Sequence, residues 1–578
     1  MPDTRTTSTP SELAAASLEA WLDGPAAAFA RRSQRPDSRR KVASWEFDLE
    51  HPALGPQRVR LSVPRDFPAT PPEIHFDSRL CLVLPHIEDD GRFCHGVLPS
   101  PGDYAWPEGA AQAVLQSLQR FWTQVLDPAW VLSEFHRERL SYWQRFCEQF
   151  RTLHKAPTPR TTRVVLQQLD GVAEGKLAVY FRRSQAASSD LMVATVGDAD
   201  PHSIAVRHRW NVGALVRGHV LFVPVPANVR WAPCDWPRTL QELERFVGHI
   251  TGGESSVVRW VEAEQDQAPQ PFVVVLVQDN TCYGYLLTPA PVPLLTVPGI
   301  TPIVIDRVDV NWVLARDYKL PTLGARAGKK VLVLGCGSLG APVAELLARA
   351  GIGKLDLLDM EAFEAENCAR HILGASDIGR GKAESLAVRL RQLVPGIEVG
   401  AYRARATDWI QSVCKPDAYD LVVDCTGESH VRVMLAHYRS HSVGPCPMVH
   451  AWVEPFCAAA HVVHIAGHEV WPDDDPGERV AAASWGDDVR INLPACGAGF
   501  HPYGASDAWQ AGGYAAERIL AVLDGKVEAS TVWSWVRSKS FFDSLEVDVT
   551  VGPLVPTTGS AFDSVQLTRL LKDVLGNE

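Results

Sequence analysis

The chain has 578 residues, of which 46% are hydrophobic and 21% are charged, and this composition excludes an intrinsically disordered protein. Its formal net charge of −12 argues against a protein whose main task is to bind nucleic acid. The 12 cysteines include no Cys-x-x-Cys pair, which excludes the zinc-ribbon pattern and favours free thiols in a cytoplasmic protein. The sequence shows neither a secretory signal nor an apolar run of about 18 residues, so we expect no membrane segment.

Residues 1–155 have the pattern of an α+β domain. A helical segment, SELAAASLEAWL, precedes two alternating segments that are typical of strands, WEFDLEH and RVRLSV. A proline-rich stretch follows, and then helical sequence over 109–150. The segment KAPTPRTT at 155–162 predicts a linker, which ends this first domain.

A second domain is predicted over 163–313. Short apolar segments typical of strands occur at VVLQQL, KLAVYF, GHVLFVPV, PFVVVLV and PIVIDRV, and one helical segment, RTLQELERFVGHI, lies among them. We find no motif here that indicates chemistry. We therefore interpret the region as a β-rich linker domain.

Strand and helix patterns alternate through the third predicted domain, residues 314–578. The segments KKVLVLG, KLDLLDM and YDLVVDCTG predict strands, while SLGAPVAELLARAG and KAESLAVRLRQLV predict amphipathic helices. This alternation predicts a Rossmann-like parallel sheet with crossover helices. We thus expect a multidomain protein with an N-terminal α+β domain, a β-rich linker domain and a C-terminal α/β domain.

A glycine-rich loop, GCGSLG, lies between the first strand and the first helix of this third domain. Gly335, Gly337 and Gly340 allow backbone N–H groups and the helix N-terminus to approach a phosphate. Asp359 ends the next strand, where an acidic residue can bind ribose hydroxyls. Taken alone, this pattern fits an NAD dehydrogenase as well as other nucleotide-binding enzymes.

The following segment, DMEAFEAENCARHILGASDIGRGKAE, distinguishes these possibilities. It resembles the ThiF/MoeB adenylating enzymes and the adenylation domain of ubiquitin-activating enzymes, through Asp359, Asn367, Arg370, Asp377, Gly379 and Lys382. The resemblance implies that Asp359 binds the ribose of ATP and that Asn367, Arg370 and Lys382 contact its phosphates. Fixed cations suit adenylation, because negative charge builds on the phosphates as a carboxylate attacks.

One motif departs from that family. At the end of the predicted strand YDLVVDCTG the family has Asp-Cys-Thr-Asp-Asn, and the second Asp of that motif binds Mg²⁺. This chain has DCTGE at the same place. Gly427 replaces that second Asp, which leaves Asp424 or Glu428 to supply the carboxylate. The resemblance also implies a homodimer through the adenylation domain. Arg316 is either the arginine that reaches across such a dimer or an ordinary surface residue.

The N-terminal domain carries a second resemblance. The segments FPATPPEIHF, LPHIEDDGRFCHG and AWP resemble the ubiquitin-conjugating enzymes, and Cys94 keeps the spacing of their catalytic cysteine. A thiolate there attacks an incoming thioester and then yields the acyl group to an amine. His86 replaces the family's Asn, so His86 is a candidate catalytic residue, with His95 as another and a solvated loop histidine as the alternative. Cys81 and Cys147 are expected in the core.

Activating enzymes of the ubiquitin type also form a thioester on a cysteine of their own. Cys496 lies in a Gly- and Pro-rich loop, INLPACGAGFHPYGASDA, ahead of the helical segment AWQAGGYAAERILAVL. An exposed loop can reach the adenylate, so Cys496 is the candidate. Cys446 and Cys457 lie in strand-like sequence and are expected in the core.

Together the two ends resemble the bacterial activating–conjugating fusion proteins found with cGAS-like nucleotidyltransferases in CBASS anti-phage operons. The resemblance implies ATP-dependent adenylation of a partner protein's free C-terminal tail, a thioester on Cys496, transfer to Cys94 and ligation to an amine. The partner implied is the nucleotidyltransferase, and a bacterial ubiquitin-like protein fits the same chemistry. Two alternatives stay open, a sulfur-carrier adenylyltransferase and a non-catalytic scaffold that binds a partner's tail.

Overall fold

The computed structural model divides into two compact units. It describes residues 8–23, 31–32, 40–156, 158–167, 169–182, 190–264, 270–279, 281–287, 299–314, 323–467, 469–472, 475, 477–486, 489, 491–492 and 499–576. The first unit comprises Met1–His202 and Asn211–Asp306, and the second comprises Ser203–Trp210 and Arg307–Glu578. Each unit has a hydrophobic core of its own.

The first unit begins with a helix and an antiparallel sheet whose strand order is β1-β2-β3-β4. Their bounds are α1 Pro10–Asp23, β1 Arg31–Arg32, β2 Lys41–His51, β3 Gly55–Pro64 and β4 Glu73–His75. Trp45 and Phe47 on β2 are buried with Leu18 of α1 in one core. Because neighbouring residues of a strand face opposite sides of its sheet, these two aromatics share the inner face. The helix and the two strands predicted from this sequence are confirmed.

Three helices follow this sheet, namely α2 Pro107–Gln124, α3 Pro128–Arg137 and α4 Arg139–His154. Proline is the first residue of both α2 and α3. A backbone N–H at this position has no partner within the helix, so proline, which lacks one, costs no hydrogen bond there. The Asp127 carboxylate caps α3 by accepting the Ala129 N–H at 2.9 Å. Helical sequence over 109–150 is thus confirmed.

Helix α4 packs into the core of the β-rich region that follows it. Trp143 and Phe146 are buried among residues of that region. The Trp143 indole N–H also donates to the Ile303 carbonyl, with the two atoms 3.1 Å apart. The boundary predicted at 155–162 therefore falls between elements that share one core.

The β-rich region forms a mixed sheet in the order β11-β10-β9-β8-β6-β7-β5-β12. Its strands are β5 Thr161–Val165, β6 Ala173–Phe181, β7 Leu191–Val196, β8 Ala214–Pro224, β9 Phe272–Gln278, β10 Thr281–Leu287, β11 Ile300–Ile303 and β12 Asp306–Arg307. The helices of this part of the chain are α5 Pro201–Arg207, α6 Leu240–Ile250 and α7 Val257–Glu264. Three of the five apolar segments quoted above lie almost wholly on strands β6, β8 and β9, VVLQQL overlaps β5 at its first two residues, and PIVIDRV includes the end of β11 and all of β12. The predicted helix is α6.

The second unit is built on a sheet in the order β15-β14-β13-β16-β17-β18-β22-β24. These strands are β13 Lys330–Leu334, β14 Lys354–Leu358, β15 Glu398–Tyr402, β16 Leu421–Asp424, β17 Met448–Val453, β18 Ala459–Ile465, β22 Thr531–Arg537 and β24 Ser564–Leu570. Two short pairs accompany them, β19 Ala483–Trp485 with β23 Val549–Val551 and β20 Ile491–Asn492 with β21 Gly499–Phe500. The strands from β15 to β17 are parallel, as predicted, and those beyond β17 are antiparallel.

Ten helices of the second unit accompany this sheet within the described residues. They are α8 Val310–Val313, α9 Leu323–Ala327, α10 Gly340–Arg349, α11 Lys382–Leu393, α12 Ala406–Ser412, α13 Ser429–His437, α14 Gly477–Val480, α15 Ala505–Leu523, α16 Lys539–Asp543 and α17 Leu571–Leu575. Helix α15 packs closely on α10, because a Cβ built on Gly512 would lie only 3.0 Å from the Pro342 side chain. Across the described part of the chain, no helix is long and apolar enough to cross a membrane.

Candidate functional site

A cavity of about 400 Å³ opens in the second unit at the carboxyl ends of the parallel strands β13, β14, β15 and β16. Its wall includes Gly335 after β13, Asp359 and Glu361 after β14, and Thr426 and Glu428 after β16. Strand β13 lies between β14 and β16 in the sheet. The strands that follow β13 in the chain are therefore added first on one side of it and then on the other, which makes this point a topological switch point. Ligands of open α/β sheets bind at such a switch point. The position agrees with the nucleotide site expected from the sequence.

The glycine loop needs two of its three glycines for steric reasons. Gly335 has a φ of +83°, in the left-handed region that side chains rarely adopt. A Cβ on Gly340 would lie 2.0 Å from the Gly335 carbonyl oxygen, so α10 can start here only with glycine. A Cβ on Gly337 would meet no heavy atom within 4 Å, and Gly337 lines the cavity. Its backbone is therefore open to a ligand.

Asp359 links the cavity wall to the glycine loop. One carboxylate oxygen accepts the Cys336 N–H at 2.7 Å, and the other accepts the Glu361 N–H at 2.8 Å. Burial raises the pKa of Asp359, against the opposing effect of these two hydrogen bonds. The carboxylate thus orders the loop while it lines the cavity, and its ribose contact stays a prediction.

His371, which the sequence analysis missed, braces the same loop from the other side. Its Nδ1 accepts the Leu373 N–H at 3.1 Å, so its Nε2 carries the proton that is donated to the Cys336 carbonyl at 2.7 Å. Burial lowers the pKa of His371 to about 4, which keeps the ring neutral. The residue directly follows Arg370, and a histidine next to an arginine predicted to contact phosphate is the sequence signal that could have identified it.

The pH dependence of stability should report this neutral histidine. The unfolded chain gains a proton at His371 below about pH 6.5, whereas the folded chain gains it only near pH 4. The contribution of His371 to the free energy of unfolding therefore has its full value above pH 6.5 and is lost as the pH falls toward 4. Between pH 7.5 and 5, we expect the free energy of unfolding to fall by roughly 2 kcal/mol more in the wild type than in His371→Gln. Urea unfolding at both pH values measures this, and parallel pH profiles would contradict the assignment.

Asn367 and Arg370 lie on the turn that His371 anchors to the glycine loop. The Asn367 side-chain oxygen accepts the Glu364 N–H at 3.0 Å, so it shapes the turn. The Arg370 guanidinium lies over the Tyr503 ring, 5.5 Å from its centroid. The structure thus places both residues beside the loop, while other residues form the cavity wall.

Lys382 is the first residue of α11, and its side chain is buried. Its ammonium group lies 2.5 Å from a carboxylate oxygen of Glu361, which lines the cavity. Glu361 was missed by the sequence analysis, since it lies within the segment that resembles the adenylating enzymes but is not one of the positions that carry the resemblance. Lys382 therefore contacts the cavity wall through Glu361, whose carboxylate is largely exposed.

Asp424, the predicted Mg²⁺ ligand, is buried at the end of β16. One oxygen accepts the backbone N–H and the hydroxyl of Thr426, at 3.0 and 2.6 Å, and the other lies 3.0 Å from His450 Nδ1. Burial opposes ionisation, but hydrogen bonds from His450 and Thr426 outweigh it and hold the pKa of Asp424 below its usual value. Since protein groups engage both oxygens and Asp424 is buried outside the cavity wall, this carboxylate does not fit a magnesium ligand in this arrangement. Glu428 lines the cavity and is exposed.

Cys94, the predicted conjugating cysteine, is exposed in the first unit. It follows a short antiparallel bridge between Ile87 and Phe93, and its backbone N–H donates to the His86 carbonyl at 2.8 Å. Phe93 is buried against Phe121 of α2, with the ring centroids 4.5 Å apart. A rigid core therefore presents this thiol on a loop. The expected burial of Cys81 and Cys147 is confirmed.

His86 is held by helix α3 through its side chain and by helix α4 through its backbone. Its Nε2 lies 3.0 Å from a Glu134 oxygen, and its backbone N–H donates to the Tyr142 hydroxyl at 2.8 Å. Burial favours the neutral acid at Glu134, but hydrogen bonds from Arg137 and His86 outweigh it and lower its pKa. His86 thus positions the Cys94 loop through its backbone, and a catalytic role for its ring stays a prediction. The neighbouring His95 accepts the Val97 N–H at 3.0 Å.

The remaining cysteine predictions divide into two groups. Cys446 and Cys457 are buried, which confirms the expected core positions, and burial raises the pKa of each thiol to about 12. Cys496 and Arg316 lie outside the described residues, so their roles stay predictions.

Comparison with known proteins identifies the region around the cavity. Residues 322–482 match the model of the ThiF family. The adenylyltransferase and sulfurtransferase MOCS3 of Mus musculus is 41% identical over 128 residues, which cover 21% of this chain and 27% of that protein. The ATP-dependent ubiquitin transferase-like protein Cap2 of Pseudomonas aeruginosa is 34% identical over 160 residues, 27% of each chain. The chain thus spans about a quarter of the length of these two curated relatives.

A solved structure of E. coli MccB with ATP shows a weaker likeness. It has 18% sequence identity and a TM-score of 0.29, and the match covers 40% of this chain and 66% of that one. The family match is the stronger finding, and it includes the glycine loop, Asp359, Arg370, Lys382 and Asp424. The cavity therefore lies in a ThiF-family domain, whose family model residues 322–482 of this chain match.

Proposed function

We propose that the protein activates the C-terminal carboxylate of a partner protein with ATP and ligates it to an amine. The observation that carries this proposal is the open cavity of a ThiF-family domain, with Gly337 and Asp359 in its wall. The backbone of the glycine loop at Gly337 offers an N–H group to phosphate, and Asp359 offers a carboxylate to ribose hydroxyls. In this proposal Lys382, which is paired with Glu361 of the cavity wall, and Arg370, which lies over the Tyr503 ring, supply positive charge once ATP enters.

The proposed reaction has four steps. A carboxylate oxygen of the partner attacks the α-phosphorus of ATP, and pyrophosphate leaves. The Cys496 thiolate then attacks the acyl adenylate and AMP leaves. The Cys94 thiolate takes the acyl group and releases Cys496. An amine finally attacks this thioester, which forms an amide and frees Cys94.

Cys94 supports the conjugating half of this route. It is exposed on a loop that the Phe93–Phe121 contact and the His86 hydrogen bond hold in place. A thiol that carries an acyl group must be reachable by both a thioester and an amine, and exposure provides this. The resemblance to ubiquitin-conjugating enzymes then assigns it the final transfer.

The partner we propose is a cGAS-like nucleotidyltransferase of an anti-phage operon, or else a ubiquitin-like protein with a free tail. A relative named as ubiquitin transferase-like supports conjugation to a protein. We also propose a homodimer through the ThiF-family domain, since closed two-fold symmetry is the commonest assembly. Mg²⁺ would accompany ATP, but the contacts of Asp424 do not fit its ligation, so no step is assigned to the metal.

Activation of a sulfur carrier is the second candidate function. A relative named adenylyltransferase and sulfurtransferase favours it. Both functions share the adenylation step, and they differ in the fate of the acyl group. Sulfur transfer leaves a thiocarboxylate on the carrier, whereas conjugation leaves an amide bond to an amine.

The test is ATP–pyrophosphate exchange by the full chain with the protein encoded beside its gene. Exchange that depends on that protein's C-terminal carboxylate is expected, and removal of its last residues should abolish it. Mass spectrometry of the product then distinguishes an amide from a thiocarboxylate. Absence of exchange with every neighbouring protein would favour a scaffold that binds a tail without chemistry.

A further inference from the structure

Tyr503 joins two parts of the nucleotide site that are far apart in sequence. Its hydroxyl lies 2.5 Å from the Ser338 hydroxyl in the glycine loop, across 165 residues. The Arg370 guanidinium lies over its ring, 5.5 Å from the centroid. One side chain therefore contacts both the loop expected to receive phosphates and a cation expected to neutralise them.

The position of Tyr503 is fixed by its neighbours in the fold. Gly504 follows it as the N-cap of α15, and the Gly504 N–H donates to the Asp507 carboxylate at 2.9 Å. Asp507 also pairs with Arg537 on β22, with the charged atoms 2.6 Å apart. Because α15 packs closely on α10 through Gly512, the tyrosine is held relative to the helix that begins at the glycine loop.

We propose that Tyr503 is a positioning residue of the phosphate subsite, acting through Ser338 and Arg370; this inference rests on the ATP-binding part of the proposed function. A guanidinium that stacks on an aromatic face keeps its charge and loses little rotamer freedom when it meets an anion. The contact between the Tyr503 and Ser338 hydroxyl groups likewise holds the Ser338 side chain in one orientation. Tyr503 thus prepares the site for phosphate before ATP arrives, and it makes no contact with the adenine or the ribose in this role.

The inference predicts a selective loss of affinity for phosphate. Tyr503→Ala should weaken ATP binding by about tenfold, because it removes one hydrogen bond and one cation–π contact. Adenosine binding should stay within about twofold, since adenosine lacks phosphates. Tyr503→Phe keeps the ring under Arg370 and should weaken ATP binding by about threefold or less. Trp509→Ala, which removes a half-exposed aromatic from α15, the helix that follows Tyr503, is the matched control and should bind ATP normally.

Calorimetric titration of the full chain with ATP and with adenosine measures these affinities. In an Arg370→Ala background, Tyr503→Ala should add no more than about threefold, because the two residues act together. Equal losses for ATP and adenosine, or a full tenfold loss in that background, would overturn the inference. So would a Tyr503→Phe variant that binds ATP as poorly as Tyr503→Ala. Wild-type protein that binds ATP but never exchanges pyrophosphate would overturn adenylation and leave this comparison intact.

Discussion

Lys382→Ala should reduce ATP–pyrophosphate exchange by about 10²–10³-fold, the loss typical when one preorganised charge-stabilising group is removed. The ammonium group is buried and paired with Glu361 at the edge of the cavity. When phosphates enter, they compete with that carboxylate for the lysine, and negative charge grows on them as pyrophosphate leaves. Arg370→Ala should cause a loss of similar size, for the same electrostatic reason.

Folding should survive the Lys382 substitution, which keeps the result interpretable. The Glu361 side chain is 63% exposed, so loss of its partner leaves no buried charge behind. Lys354→Ala is a matched control, because Lys354 pairs with the exposed Glu398 at the amino ends of β14 and β15, whereas the cavity lies at their carboxyl ends. Exchange should be normal in Lys354→Ala, and a Lys382→Ala variant with near-normal exchange would contradict the adenylation proposal.

Cys94→Ala should abolish ligation to the amine and leave ATP–pyrophosphate exchange within about twofold of the wild-type rate. The reason is that adenylation needs only the ThiF-family domain, whereas the last transfer needs a thiol to carry the acyl group. Cys94→Ser should trap the partner as an ester, which is a poorer acyl donor than a thioester. Cys496→Ala should also keep exchange, yet prevent any adduct at residue 94.

Non-reducing gels with partner, ATP and magnesium, repeated with added thiol, resolve these adducts. Cys234→Ser is the matched control, since Cys234 is another exposed cysteine of the first unit and has no proposed role. If Cys496→Ala still loads Cys94 at the normal rate, the acyl group reaches Cys94 directly from the adenylate. Ligation that persists in Cys94→Ala would exclude Cys94 as the carrier.

Local sequence predicted much of the fold, because its elements depend on short-range patterns. Alternating residues on β2, proline at the start of α2 and glycines between β13 and α10 are visible within a few positions of one another. The same holds for the nucleotide loop, whose glycines lie next to the strand and helix that they connect. The glycine loop that lines the cavity could therefore be predicted from the sequence, whereas the ligand of that cavity stays a prediction.

The contacts that shape the two sites depend on tertiary packing, which local sequence does not reveal. The Glu134 partner of His86 lies 48 residues away, and the Tyr503 partner of Ser338 lies 165 residues away. Asp424 has the residue type of a metal ligand, yet His450 on the adjacent strand engages it. Such pairings follow from strand order and helix docking, so a motif can identify a residue and still leave its partner unknown.

Helix α4 also determines how the first unit can be divided. A fragment that stops near residue 155 would carry Trp143 and Phe146 without the sheet that covers them, and exposed aromatic clusters promote aggregation. The α+β region and the β-rich sheet should accordingly lose their structure in one cooperative step. Proteolysis should release them together, and mechanical or thermal stress on the sheet should be transmitted to the elements that hold Cys94.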